Sequence, residues 1–204
     1  MFDAHCHIGI PSAQAIVCSS EPGEYDQLQA YRYHAYGLLR PADRDVEALE
    51  QRLFADRGAM IGEFGLDCRW ETDERLVERL LCLARDLDRP FVLHVVHRHD
   101  RILRLIKQVG TKSCFIVHGF TSSRQTALSY MRLGGTISLS PRSLASRDFR
   151  RLLDLGFLLE SDLPLSDESL KVLDSLYESV AAAMSISRER LEERINVTRS
   201  VFTA

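Results

Sequence analysis

His5 and His7 stand two residues apart in Asp-Ala-His-Cys-His near the start of the chain. On an extended strand, residues two apart share a face, and two imidazoles on one face can bind one divalent cation. Further along, Glu63 is set in Gly-Glu-Phe-Gly-Leu-Asp, His94 closes Pro-Phe-Val-Leu-His, His118 follows Phe-Ile-Val, and Asp162 follows Leu-Leu-Glu-Ser. Taken singly, each has a plain structural reading: a strand-end His is more often hydrogen-bonded scaffold, and a buried Glu more often pairs with an Arg. Taken together, four imidazoles and two carboxylates at the ends of separate apolar runs would be costly to gather without a cation to neutralise them. The chemistry such a set serves is hydrolysis by two cations, which acidify a water, polarise the electrophile and stabilise the leaving oxygen. Mixed imidazole and carboxylate ligation suits zinc, manganese or, less comfortably, magnesium.

The elements that must position these residues are short apolar runs alternating with amphipathic stretches, the pattern of a parallel sheet with crossover helices. Eight strands are expected: Met1–His7, Ala15–Cys18, Tyr33–Leu39, Ala59–Gly65, Pro90–Val96, Cys114–Gly119, Gly135–Ser140 and Gly156–Glu160. Between them, Asp43–Asp56 places Val46, Leu49 and Leu53 on one helical face. Leu76, Leu80, Leu83 and Leu87 make a second stripe before Pro90, and apolar residues from Ile102 and from Ala127 make two more. Two helical stretches, Ser166–Met184 and Arg188–Phe202, close the chain. The fold class is therefore α/β, a compact (β/α)8 TIM-type barrel whose active residues gather at the C-terminal strand ends. The stretch from His7 to Ala15 is too short for a crossover helix, so the first βα unit must be trimmed.

Length and composition agree with this. A chain of 204 residues, 45% of them hydrophobic, holds one substantial core and is expected to be a single domain over residues 1–204. The formal net charge of −3 excludes a broad cationic surface of the kind that binds duplex DNA non-specifically. Cys6, Cys18, Cys68, Cys82 and Cys114 are odd in number and scattered, which suits reduced thiols in the cytoplasm better than a disulfide framework. No secretory signal or membrane-spanning run is read from the chain, and a cytoplasmic location is expected.

The motifs taken in order resemble a known family. Asp3 to His7 is similar to the D-x-H-x-H opening of TatD-type metal-dependent hydrolases, and Gly62 to Asp67 to their G-E-(I/F)-G-L-D signature. Pro90 to His94 resembles P-V-x-x-H, His118 to Thr121 resembles H-x-F-(S/T), Leu158 to Pro164 resembles L-L-x-E-(S/T)-D-x-P, and Asn196 to Phe202 resembles the N-x-x-x-x-F ending. The resemblance implies that His5, His7 and Asp162 hold one ion, that His94 and His118 hold the other, and that Glu63 bridges them. It also implies catalytic roles for Glu63 and Asp162, the latter orienting water, and a deoxyribonuclease acting on single-stranded DNA or 3′ ends.

Three departures from the family touch the substrate rim rather than the ligands. Arg40 in Gly37-Leu38-Leu39-Arg40-Pro41 stands near the place of a histidine, one residue out of register, and is a candidate phosphate contact or a solvated Arg. Val96 replaces an arginine and is followed by His97, Arg98 and His99, of which His97 and Arg98 are further substrate candidates, with helix capping as the competing role. The family's Gly-, Arg- and Asn-rich loop after the eighth-strand aspartate is missing, and Leu165-Ser166-Asp167-Glu168 runs straight into a helix. Arg142, Arg147, Arg150 and Arg151 offer a single-strand-binding rim or a solvated helix face. Two rival functions stay open: hydrolysis of another ester or amide, such as an aminoacyl-tRNA ester, and a metal-binding subunit of a larger assembly such as an anti-phage defence complex. The pruned loops make a protein partner part of that last reading.

Overall fold

A computed structural model describes residues 1–11 and 14–203. Eight parallel strands follow one another in chain order: β1 (Asp3–His7), β2 (Ala15–Cys18), β3 (Tyr33–Tyr36), β4 (Met60–Asp67), β5 (Phe91–Val96), β6 (Phe115–Val117), β7 (Gly135–Leu139) and β8 (Phe157–Leu159). β2, β5, β6 and β8 are rich in Val, Ile and Leu and almost wholly buried, as parallel strands covered on both faces must be. The ring closes through the segment just after β8. Asp162 N donates to His5 O (3.1 Å), His7 N to Leu163 O (2.9 Å) and Leu165 N to His7 O (3.0 Å). The barrel is thus sealed by the same short stretches that carry His5, His7 and Asp162.

Helices cover the outside: α1 (Tyr25–Leu28), α2 (Asp43–Ala55), α3 (Glu74–Asp86), α4 (His99–Val109), α5 (Arg124–Met131), α6 (Phe149–Leu152), α7 (Asp167–Met184) and α8 (Arg188–Thr203). In α3 the expected stripe lies inward, with Leu76, Val77, Leu80, Leu81 and Ala84 buried. The Asp73 side chain starts that helix by accepting from Arg75 N, an N-cap contact worth about 1 kcal/mol. Gly110, at φ 68°, ends α4 in the left-handed conformation that only glycine adopts without penalty.

The trimming extends further than expected. The described residues between β1 and β2 hold no helix, the β2–β3 link holds only a 3-10 turn at Pro22–Glu24 and one-turn α1, and the β7–β8 link only a 3-10 turn at Pro141–Ala145 and one-turn α6. Several expected boundaries also move. β3 stops at Tyr36 because the chain beyond Gly37 bonds to both neighbours, Leu38 N to Glu63 O and Leu39 N to Ser20 O, both at 3.0 Å. β4 runs on to Asp67, so Glu63 sits in mid-strand beside a register shift between Ile61 and Phe64 rather than at the strand's end. No helix among the described residues is long and apolar enough to cross a membrane.

Candidate metal centre

The C-terminal mouth of the barrel brings together all six residues that the sequence singles out. His5 is completely buried, Glu63 and His118 nearly so, and His7, His94 and Asp162 are partly open. Glu63 stands in the middle. Its Oε2 lies 2.8 Å from His118 Nε2, 3.4 Å from His94 Nδ1 and 3.8 Å from His5 Nε2, and its Oε1 lies 4.0 Å from His7 Nε2. Asp162 completes the other side, with Oδ1 3.7 Å from His5 Nε2 and 3.6 Å from His7 Nε2. The ligand atoms of His5, His7 and Asp162 lie within 4.8 Å of one another, as do those of His5, Glu63 and His118.

Local backbone geometry explains how this crowding is possible. Gly65 lies so close to β5 that a Cβ there would meet His94 O at 2.0 Å. The glycines flanking Glu63 therefore serve close strand approach, and the carboxylate's room follows from that. Asp162 itself has φ 57°, a left-handed conformation that Asp tolerates better than most residues and that often marks a functional position. Its neighbour Ser161 N donates to Asp3 Oδ1 (3.0 Å), which also accepts from His5 N (3.3 Å). Burial, with Glu160 nearby, pushes the Asp3 carboxyl up to about 7.

The charges are arranged around Glu63. Burial alone would raise its pKa, but His118, His94 and His5 outweigh burial and hold the carboxyl well below its usual range. Burial likewise works against a proton on His118, yet Glu63 and Glu160 hold that ring well above the ordinary imidazole value. The adjacent His5 ring, tilted by 31° and 3.9 Å away by centroid, is pushed well below it by burial and by His118. His7 is raised because Asp162 and Glu63 overcome burial, and Asp162 is lowered because His7 and His5 do. A fully buried, neutral imidazole whose Nε2 has no hydrogen-bond partner among the described residues is a donor suited to a cation. The carboxylates that hold a proton on His118 would hold a metal ion by the same attraction. The residues present therefore fit divalent cations.

Groups behind the ligands were not singled out from the sequence. Asp67 Oδ2 is 2.8 Å from His94 Nε2 and is itself clamped by Arg69, so His94 turns Nδ1 toward Glu63. Burial notwithstanding, Arg69 and His94 hold Asp67 well below the usual carboxylate range. Glu160 faces His118 Nδ1 at 3.5 Å and accepts from Gly119 N (2.6 Å) and from the Ser138 hydroxyl. Both acids stand in the quoted motifs, but only the fold shows which imidazole each one backs. Cys18 lies 3.2 Å from His5 Nδ1 and Ser20 Oγ 3.2 Å from Glu63 Oε1, and no sequence signal marks either.

The substrate candidates separate. A mouth cavity of about 260 Å³ is lined by His94, His118 and Asp162 together with His97, Arg69 and Arg142. Arg142 reaches it from the 3-10 turn after β7, its guanidinium 3.7 Å from Asp162 Oδ2. Arg40 lies over the Trp70 ring at 4.5 Å, and Trp70 stacks on His94 with centroids 5.9 Å apart, so Arg40 stands at the rim. Arg98 does not line the mouth cavity. It occupies the N-cap position of α4 without a side-chain capping bond and faces a separate cavity beside Trp70, Thr72 and Arg101. His99 also lines the mouth cavity, with Nδ1 3.0 Å from the Tyr130 hydroxyl.

This fold and ligand array define a metal-dependent hydrolase barrel. The family model described as TatD related DNase matches residues 19–202, and the chain belongs to that family. The matched span begins after His5 and His7, which the structure nonetheless places in the same centre. An uncharacterized metal-dependent hydrolase, YjjV of Escherichia coli K12, is 30% identical over 79% of this chain and 78% of its own length. A second from that strain, YcfH, is 32% identical over 59% of this chain and 50% of its own. In three dimensions the chain is similar to the E. coli YjjV structure, with a TM-score of 0.81, 22% identity and coverage of 98% and 96% of the two chains. A TatD family hydrolase of Entamoeba histolytica gives 0.74 at 14% identity, covering 93% of this chain and 85% of that one.

Proposed function

We propose that this hydrolase is a deoxyribonuclease that cleaves phosphodiesters of single-stranded DNA or of 3′ ends, with two divalent cations shared through Glu63. The observation that carries the reading is the reach of the Glu63 carboxylate, one oxygen toward His94 and His118 and the other toward His7. These residues would hold divalent cations, which when bound would supply Lewis acidity and lower the pKa of water toward neutrality. The protein's own groups do the rest. Asp162, held ionised by His7 and His5 against burial and more open than Glu63, would orient the attacking water and take its proton. Arg142 and Arg69 border the cavity where a phosphate would enter, and His97 lines the same wall. Arg40, lying over the Trp70 ring, would meet the strand further out.

The test is hydrolysis of labelled single-stranded DNA, duplex DNA, RNA and an aminoacyl ester by the purified chain in EDTA, Mg²⁺, Mn²⁺ and Zn²⁺. Metal-restored cleavage of single-stranded DNA supports the proposal. Ester cleavage without nuclease activity assigns a different substrate. Inactivity of a metal-loaded chain on every substrate favours a subunit that works only with a partner.

A further inference from the structure

His5 has two ring nitrogens and one polar neighbour for Nδ1. That nitrogen lies 3.2 Å from Cys18 Sγ, whereas Nε2 has no hydrogen-bond partner among the described residues and faces Glu63 Oε2 at 3.8 Å and Asp162 Oδ1 at 3.7 Å. Both His5 and Cys18 are sealed from solvent, so no bulk water competes for either nitrogen. A neutral imidazole carries its proton on one nitrogen and a lone pair on the other. Which nitrogen carries which is decided by the partner of the nitrogen that does not ligate.

We propose that Cys18 is the positioning residue of His5: its Sγ accepts a hydrogen bond from Nδ1–H and so fixes the tautomer whose Nε2 lone pair points between Glu63 and Asp162. The opposite arrangement, with the thiol donating to Nδ1, would put a proton on Nε2 in the place where a ligand's lone pair is required. Cys18 ends β2, paired in register with His7 on β1, so the sheet itself carries the sulfur to its station. The contrast with the other rings gives the role its consequence. His94 hydrogen-bonds Asp67 at 2.8 Å and His118 Nδ1 faces the Glu160 carboxylate at 3.5 Å, and a carboxylate beside an imidazole makes it a stronger donor. A neutral thiol is a weak acceptor, so His5 is fixed in orientation without that gain in basicity. The cation held by His5 is accordingly the more readily removed of the two, an inference that rests on the two-cation reading above.

The experiment uses the full chain with labelled imidazole nitrogens. Nitrogen NMR of the metal-free parent should show the His5 proton on Nδ1, and Cys18→Ala should abolish that preference. Zinc titration by calorimetry should show affinity on the His5 side falling about ten- to a hundredfold in Cys18→Ala, the usual effect of removing such a partner. Cys18→Ser, which restores an acceptor, should recover most of that loss. A merely space-filling role would leave the ring proton where it was and would not distinguish Ser from Ala. A parent His5 protonated on Nε2, or Cys18→Ala binding zinc as tightly as the parent, overturns the proposal. Should Cys18→Ala fail to fold, the ring proton of the parent decides alone. A parent that binds no zinc sinks the metal reading, and the tautomer measurement still judges the role of Cys18.

Discussion

Glu63 on β4 and His118 just beyond β6 meet at 2.8 Å across the barrel mouth. A strand stands between theirs, and its His94 bears on the same Glu63 oxygen. The negative charge of one buried side chain therefore organises imidazoles from the first strand and from the middle of the chain.

Glu63→Gln keeps the volume and removes that charge. Two cations a few ångströms apart would then repel without an intervening anion, and metal content should fall from near two divalent ions per chain. Hydrolysis should drop by at least ~10³-fold if electrostatic stabilisation dominates the rate. Folding should survive, since the change also removes a buried charge. Elemental analysis, thermal unfolding and rates on parent and variant check it; a folded, two-metal variant with near-parental rate would make Glu63 structural.

Glu160 is completely buried and bears on His118 from behind. Glu160→Gln should leave the Ser138 and Gly119 contacts largely in place while weakening the hold on His118. Metal affinity should fall about ten- to a hundredfold, with a smaller change in thermal stability. Unchanged zinc binding by calorimetry would show that Glu160 only fills the core.

His99, a non-ligand on the wall of the mouth cavity, gives a pH prediction. Burial, with His97 nearby, lowers its pKa to about 4, and its Nδ1 is 3.0 Å from the hydroxyl of buried Tyr130. Above about pH 6.5 the ring is neutral in both folded and unfolded chains and costs nothing. As pH falls from there toward 4, the unfolded chain binds a proton that the folded chain refuses, so stability is lost, by on the order of 2 kcal/mol at this position. His99→Gln, which keeps a hydrogen-bonding side chain but no titration, should flatten part of that decline. Urea unfolding of parent and variant at pH 7, 5.5 and 4 measures it, and parallel curves would count against the assignment.

These positions also show what a sequence carries and what it withholds. The six mouth residues were legible because each follows a short apolar run, and strand ends converge in a parallel barrel whatever the loops do. Glu63 was misplaced within its strand because a register shift leaves no mark in hydrophobic pattern. Asp67 and Glu160 were visible as letters, but which ring each one backs depends on strand order around the mouth. Arg98 was read as a substrate candidate, yet His97 adopts a positive φ of 52° and the chain turns there, leaving Arg98 outside the mouth cavity. His34 shows the opposite case. It lies in β3 and bonds to Asp56 at 2.8 Å, a structural pair that composition alone cannot separate from a ligand.

Arg142 supplies the last prediction. Its guanidinium is exposed, stands 3.7 Å from Asp162 Oδ2 and borders the mouth cavity, where the proposed phosphate would take over from the carboxylate as its partner. Arg142→Ala should raise KM for single-stranded DNA about three- to tenfold with little change in kcat, since an exposed cation contributes mainly to binding the backbone. The slope of log(kcat/KM) against log salt should shrink by about one contact's share. Because the chain is net acidic at −3, such local contacts cannot be replaced by a general cationic surface, and single strands should be cut faster than intact duplex at the same salt. Paired substrates and a salt series on parent and variant decide it: faster duplex cleavage, or an unchanged salt slope in Arg142→Ala, would move the substrate path away from this side of the mouth.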